Sequence, residues 1–122
     1  MKYKCLIQAI DDETITIQVE NTTIIGFTNL PLDFQLLGEF VEVEIELIGD
    51  LKIKKDNVQT KTINSNTPYS YSCTICGILD VENKVVKSEI DFTLDENILY
   101  EYGYLDKQYI EIIVPRVDFH FE

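Results

Sequence analysis

Apolar and polar residues alternate along most of this chain. Ile15, Ile17 and Val19 face one way and Thr14, Thr16 and Gln18 the other. Val41, Val43, Ile45 and Leu47 oppose Glu42, Glu44 and Glu46 in the same manner. A period of two marks a half-buried strand. The same reading places further strands at about residues 2–10, 23–28, 70–79, 85–88 and 109–114. Pro115 then interrupts the pattern, because proline donates no ladder hydrogen bond and sits at an edge or a bulge. Beyond it Val117, Phe119 and Phe121 alternate with Arg116, Asp118, His120 and Glu122. Two single helical turns are predicted between strands. Asn29 can cap the first, Pro31 suits its first turn and Gly38 can end it. Asp95 can cap Glu96 to Tyr100, with Gly103 closing that turn.

These elements come twice. Tyr3-x-Cys5-x-Ile7-x-Ala9 is matched by Tyr71-x-Cys73-x-Ile75-x-Gly77, and Ile25-Gly26-Phe27-Thr28 by Ile90-Asp91-Phe92-Thr93. Phe27 precedes Gly38 by 11 residues, and Phe92 precedes Gly103 by 11. An acidic turn follows the first strand of each copy, Asp11-Asp12-Glu13 and then Asp80-Val81-Glu82-Asn83. The pattern implies a duplication, with halves at about 1–50 and 69–122. Residues 51–68 read as a polar arm in which Leu51, Ile53, Val58 and Ile63 make a protruding hairpin and Asn64 to Pro68 a loop. Halves this small bury little apolar surface alone. They are expected to share one core across a single domain, 1–122. The fold class is all-β: one antiparallel barrel or sandwich built from two similar β-β-β-turn-β halves.

Composition supports the strands. Ile, Val and Thr supply 36 of 122 residues and Ala only Ala9. Such β-branched side chains suit pleated sheets. A hydrophobic share of 45% rules out a disordered acidic tail. The N-terminal apolar run is broken by Gln8 and ended by Asp11, too short for a secretory signal or a membrane span. Cytoplasmic location is the expectation, and three cysteines, which cannot all pair within one chain, agree with it. Cys73-Thr74-Ile75-Cys76 has the CxxC spelling. On a strand, however, residues three apart face opposite sides, so the pair is read as structural. With one histidine and no second CxxC, neither a metal site nor any other cofactor is implied.

Charge changes the picture most. The chain carries 22 acidic and 10 basic residues, a formal net charge of −12. Ten acids and no Lys or Arg fall between Asp11 and Asp50; the lysines gather at Lys52, Lys54, Lys55 and Lys61. Duplex binding needs a basic surface, so general nucleic-acid binding is disfavoured. Glu42, Glu44 and Glu46 fall on one strand face about 6.5–7 Å apart, a row of like charge on a stiff support. The plain reading is a solvated face that discourages aggregation. The sharper one is a docking surface for a basic protein partner. Catalysis finds no motif: no Gly-rich phosphate loop, GxSxG or HExxH is present, and His120 falls on a polar face. The chain is read as a non-enzyme.

Gly38-Glu39-Phe40-Val41-Glu42-Val43-Glu44-Ile45-Glu46-Leu47 and Tyr102-Gly103-Tyr104-Leu105-Asp106-Lys107-Gln108-Tyr109-Ile110 resemble patterns in immunity proteins of bacterial polymorphic toxin systems, of the contact-dependent growth inhibition and Rhs type. The resemblance implies a cytoplasmic protein that binds a toxin domain, often a nuclease, and blocks it. It assigns no contact residue. Charge does that instead: the expected partner surface is Glu42, Glu44 and Glu46, the turn Asp11, Asp12 and Glu13, and Asp106 with Tyr104 as an aromatic anchor. Two alternatives stand beside it. The order of elements in each half resembles part of an OB-fold, which implies a module for nucleic acid or a small ligand using the lysine arm. The other alternative is a structural subunit that assembles with copies of itself.

Overall fold

In the computed structural model, which describes residues 2–11, 14–28, 34–65 and 72–121, the alternating segments form strands. The first half gives β1 (Lys2–Ile10), β2 (Thr14–Val19), β3 (Thr22–Phe27) and β4 (Phe40–Ile48). Next come β5 (Lys52–Lys55), β6 (Thr62–Ser65), β7 (Cys73–Asp80), β8 (Val85–Lys87) and β9 (Asp91–Thr93). A short helix α1 (Glu96–Tyr102) precedes β10 (Tyr109–Val114) and β11 (Arg116–Phe121). The protein is all-β, with a closed five-stranded barrel, β1-β2-β3-β11-β4, beside a second sheet ordered β5-β10-β7-β8-β9, with β6 also on β7. All pairings are antiparallel except β3 with β11. Among the described residues no helix is long and apolar enough to cross a membrane.

The barrel is a meander of three strands closed by two more. β4 pairs with β1, and β11 bridges β4 and β3. This is the strand order of an OB-type barrel. Only four of its strands come from the first half. After β4 the chain crosses to the second sheet and lies as β5 against β10. After β10 it crosses back at Pro115 and closes the barrel as β11. Each half thus places its next strand on the fourth strand of the other. The two crossings touch: a Cβ added to Gly49 would lie 3.0 Å from Pro115 Cγ.

Two expectations are corrected here. Residues 51–65 do not protrude. β5 and β6 are sheet strands, and Ile53 and Ile63 on them are buried. Gly103 does not stop the helix in a left-handed conformation either. It has φ −60, the chain continues through a 3-10 turn over Gly103–Leu105, and the positive φ falls at Lys107. Other predicted terminators hold. Gly38 has φ +80 after the turn at Phe34–Leu36, and the Asp95 carboxylate accepts from the Ile98 backbone N–H at 2.9 Å. Asn29 and Pro31 lie outside the described residues.

One hydrophobic cluster runs through both sheets. Cys5, Ile7, Ile15, Ile17 and Ile24 fill the barrel with Phe119; Ile75, Leu79, Ile110 and Ile112 carry the core under the second sheet. Tyr3 links the two. Its hydroxyl donates to the Asp91 carbonyl, and its ring lies 6.3 Å from Phe92. Thr22 donates from β3 to the Glu89 carboxylate at 2.8 Å. On β7, Cys73 faces the core while Cys76 is half-exposed on the other side, and all three thiols are free.

Candidate functional site

β4 is paired along its whole length, with β1 over Phe40–Glu44 and with β11 over Val43–Ile48, which fixes its pleat. Its inward residues meet the barrel: Ile45 is opposite Phe119 and Leu47 opposite Val117. Alternation then forces Phe40, Glu42, Glu44 and Glu46 outward, and all four are exposed. Phe40 retains 65% of its surface, unusual for a phenylalanine on a strand. Sequence reasoning missed it as a site residue, although it begins the same alternating register as the glutamates.

The neighbours of this row temper its charge. Register sets Lys4 opposite Glu42 and Lys2 opposite Glu44 on β1. On β11, His120 is opposite Glu44, and its Nε2 lies 2.8 Å from the Glu46 carboxylate. The Lys4 ammonium sits 5.7 Å from the centroid of the Phe40 ring. Below Glu46 comes Asp118, buried and held by a two-pronged bond from Arg116 at 2.7 and 2.8 Å. Arg116 also stacks over Phe27 at 4.8 Å. Asp118 is thus matched by its own arginine. Among the described residues Glu42 and Glu44 have no ion-pair partner within 4 Å. The face is a row of exposed carboxylates headed by an aromatic ring and flanked by basic side chains.

The other sequence-predicted residues are not gathered here. Asp11 is exposed at the β1–β2 turn, its N–H bonded to the Thr14 carbonyl at 2.9 Å. Seven residues of strand separate it from Lys4, a span of about 23 Å. Asp12 and Glu13 lie outside the described residues. Asp106 lies in the turn before β10, where its carboxylate accepts from the Val81 backbone N–H at 2.9 Å and braces the β7–β8 turn. Tyr104 is 75% exposed beyond α1, with Tyr100 at 94% on the helix. The six described residues of the eight therefore fall at three places rather than on one surface.

A hollow of about 360 Å³ adjoins the glutamate row. It is lined by consecutive residues Glu44 to Leu47 on one side and by Leu51, Leu94, Asp95 and Ile98 on the other. A second hollow, also about 360 Å³, continues it along α1 past Asp50 and Glu101. Together they form a groove where the two halves meet, with an aliphatic floor and carboxylates on its rim. Sequence reasoning missed this too, because its two walls lie about fifty residues apart in the chain.

The strongly shifted titrations are buried ones: burial pushes the Cys5 and Cys73 thiols up to about 11. Thiols raised this far are poor nucleophiles. Among the described residues no group of three His, Cys, Asp or Glu is placed to hold a metal ion.

Fold and site together define an acidic, strand-exchanged β-barrel protein with an outward carboxylate face. Residues 1–122 match the family described as Uncharacterised conserved protein UCP019853, and the chain belongs to that family. No curated protein and no solved structure matches the chain. The family match carries no link to toxins or their inhibitors, so the immunity-protein resemblance rests on its two quoted segments alone.

Proposed function

We propose that this protein is an immunity protein that binds a basic toxin domain, a nuclease, and blocks it with the outer face of β4. The observation that carries the reading is the outward row Phe40, Glu42, Glu44 and Glu46 on a strand whose register β1 fixes at one end and β11 at the other. A nuclease surface is basic because it must attract phosphate. Carboxylates at a fixed spacing of about 6.5–7 Å compete for that surface at low cost in ordering. An exposed ring beside them supplies the apolar anchor typical of protein interfaces. Such a protein would act in the cytoplasm, beside the toxin's target, without a cofactor and without catalysis.

The OB-type order of the barrel favours one rival, a nucleic-acid module. Barrels of that order bind ligand on the β2–β3 face. Here that face presents Thr14, Thr16, Gln18 and Thr23 and no lysine or arginine. Without cations, it has nothing to offset a phosphate backbone. Retention on single-stranded oligonucleotide is therefore expected to be absent even at low salt.

The test is a binding titration against the protein encoded beside this one. Tight binding is expected. It should weaken at least tenfold in Phe40→Ala and in the Glu42→Gln/Glu44→Gln pair, changes of about 1.4 kcal/mol or more. Binding unchanged in both variants would remove the site; no binding at all would remove the function.

A further inference from the structure

The outer surface of the barrel carries a second feature beside the glutamate row. Register sets Phe40 on β4 opposite Leu6 on β1, Leu6 opposite Gln18 on β2, and Gln18 opposite Thr23 on β3. Ile7, Ile17 and Ile24, next in the chain to the last three, are buried in the barrel, so the row lies on its outside. Ring, aliphatic side chain, amide and hydroxyl thus follow one another straight across four strands, over about 14 Å at a strand spacing of about 4.8 Å. A hollow of about 390 Å³ opens over Phe40, Leu6 and Gln18, with Lys4 and Glu20 also lining it. That volume is within the range of small-molecule sites. A bulge aims a second amide at the row: the β1 register shifts between Ile7 and Ala9, and Gln8 Nε2 donates to Gln18 Oε1 at 2.8 Å. Gln18 Nε2 donates to the Glu20 carbonyl at 3.0 Å. Among the described residues this leaves the second N–H of Gln18 and the side-chain carbonyl of Gln8 available to a ligand.

We propose that this row is a binding site for a neutral oligosaccharide, with one sugar ring stacked on Phe40 over Leu6 and the next hydrogen-bonded to Gln18, Gln8 and Thr23. Charge selects the ligand by exclusion. Lys4 and Glu20 both line the hollow, and no ion pair within 4 Å joins them. An entering cation meets the Lys4 ammonium, 5.7 Å from the Phe40 centroid. An entering anion meets Glu20 and, next along the face of β4, Glu42. A neutral ligand meets neither penalty. A pyranose ring has a C–H face that suits the negative face of an aromatic ring. Its hydroxyls both donate and accept, so amide, carboxylate and ammonium side by side all find a partner on it. Barrels of OB-type order bind oligosaccharides as well as oligonucleotides on the β2–β3 side. The lack of cations on β2 and β3 that excludes a phosphate chain leaves the uncharged polymer. The site goes beyond the inhibitor reading and does not depend on it; of the contact residues, the two share Phe40.

The probes are cellotetraose, maltotetraose and chitotetraose, each titrated into the isotopically labelled full chain, with tetragalacturonate as the charged control. At least one neutral member is expected to bind with a Kd of about 0.1–1 mM. It should move the backbone amide signals of residues 4–8, 16–23 and 40 and the side-chain amide signal of Gln18. Phe40→Ala and Gln18→Ala, both changes on the barrel surface, should each weaken that binding about fivefold or more while leaving the thermal midpoint in place. Phe40→Tyr, which keeps the ring, should retain it. Tetragalacturonate should bind about fivefold more weakly or not at all. Silence from all three neutral probes at about 10 mM, ten times the weakest Kd expected, would overturn the proposal. So would binding that survives both alanine substitutions, or a charged control that binds as well as the neutral sugars. Gln18→Ala is expected to leave binding of the neighbouring gene product unchanged, so the saccharide site and the toxin reading fail separately.

Discussion

At the scale of single residues, three positions carry consequences that burial and backbone geometry decide. Gly49 adopts φ +99, a conformation side chains avoid, with Pro115 directly across from it. Gly49→Ala is expected to cost about 1–3 kcal/mol in chemical denaturation, because strain and the close contact act together. Gly26 is constrained by the core instead: an added Cβ would lie 2.6 Å from the Phe119 ring and 2.9 Å from the Val117 carbonyl oxygen. Tyr3 shows its role through pH. Burial first, and the Asp91 charge second, push its hydroxyl from the usual 10.0 up to about 12. The folded chain therefore holds this proton more tightly than the unfolded one. The associated stability is fully present below pH 10 and is lost as pH rises from 10 toward 12. Urea midpoints measured across that window should fall more steeply for the native protein than for Tyr3→Phe, so the two curves converge. Convergence would be missing if the hydroxyl were solvated. Thiol labelling makes a parallel check: Cys76 should react under native conditions well before Cys5 and Cys73.

At the scale of elements, the strand exchange makes the halves dependent on each other. Among the described residues β11 is the strand that links β3 to β4, and Phe119 is among the largest fully buried side chains. Phe119→Ala is expected to cost about 3–5 kcal/mol. Removing Arg116–Phe121 should do more, opening the barrel and leaving β3 and β4 each with a free edge. Loss of cooperative thermal unfolding by circular dichroism is the expected result. A chain cut at Pro115 that still melted cooperatively would mean that the barrel closes without its fifth strand. Much of this architecture was legible beforehand. Regular alternation placed β4 and β2 to the residue, because a strand with one wet face writes its period directly into the sequence. Asp95 announced its cap in the same way. β5 and β6 were not legible. Each strand has only four residues, in which Ile53 and Ile63 look like isolated apolar residues in a polar arm. Nor does Pro115 say where the chain goes next. A proline that ends one strand and a proline at a crossing between sheets have the same sequence signature.

At the scale of the whole molecule, the question is how a net charge of −12 is presented. Reading along the chain, Asp11 to Asp50 holds acids and no bases, and the glutamate row looked unopposed. Folding brings Lys2 and Lys4 alongside it from β1 and His120 from β11. Alternation reveals which face a residue occupies but not which strand will lie beside it, so this flanking charge could not be read in advance. Its effect is directional. The summed field still draws a cation toward the protein, while the local lysines oppose its final approach to Glu42 and Glu44. If a basic partner docks here, Lys4 is a brake on association. Replacing Lys4 by Gln should therefore raise the association rate, about two- to fivefold at low salt, while Glu42→Gln should lower it. Both effects should shrink toward unity as salt shortens the screening length to about 3 Å near 1 M. Stopped-flow rates over a salt series give the comparison directly. If the partner docked elsewhere, at Asp11 or beside Tyr104, Lys4→Gln and Glu42→Gln would change the rate only through net charge, by similar small factors in opposite directions. A Lys4 effect much larger than that of neutralising a distant lysine such as Lys61 would place the encounter on the β1–β4 face.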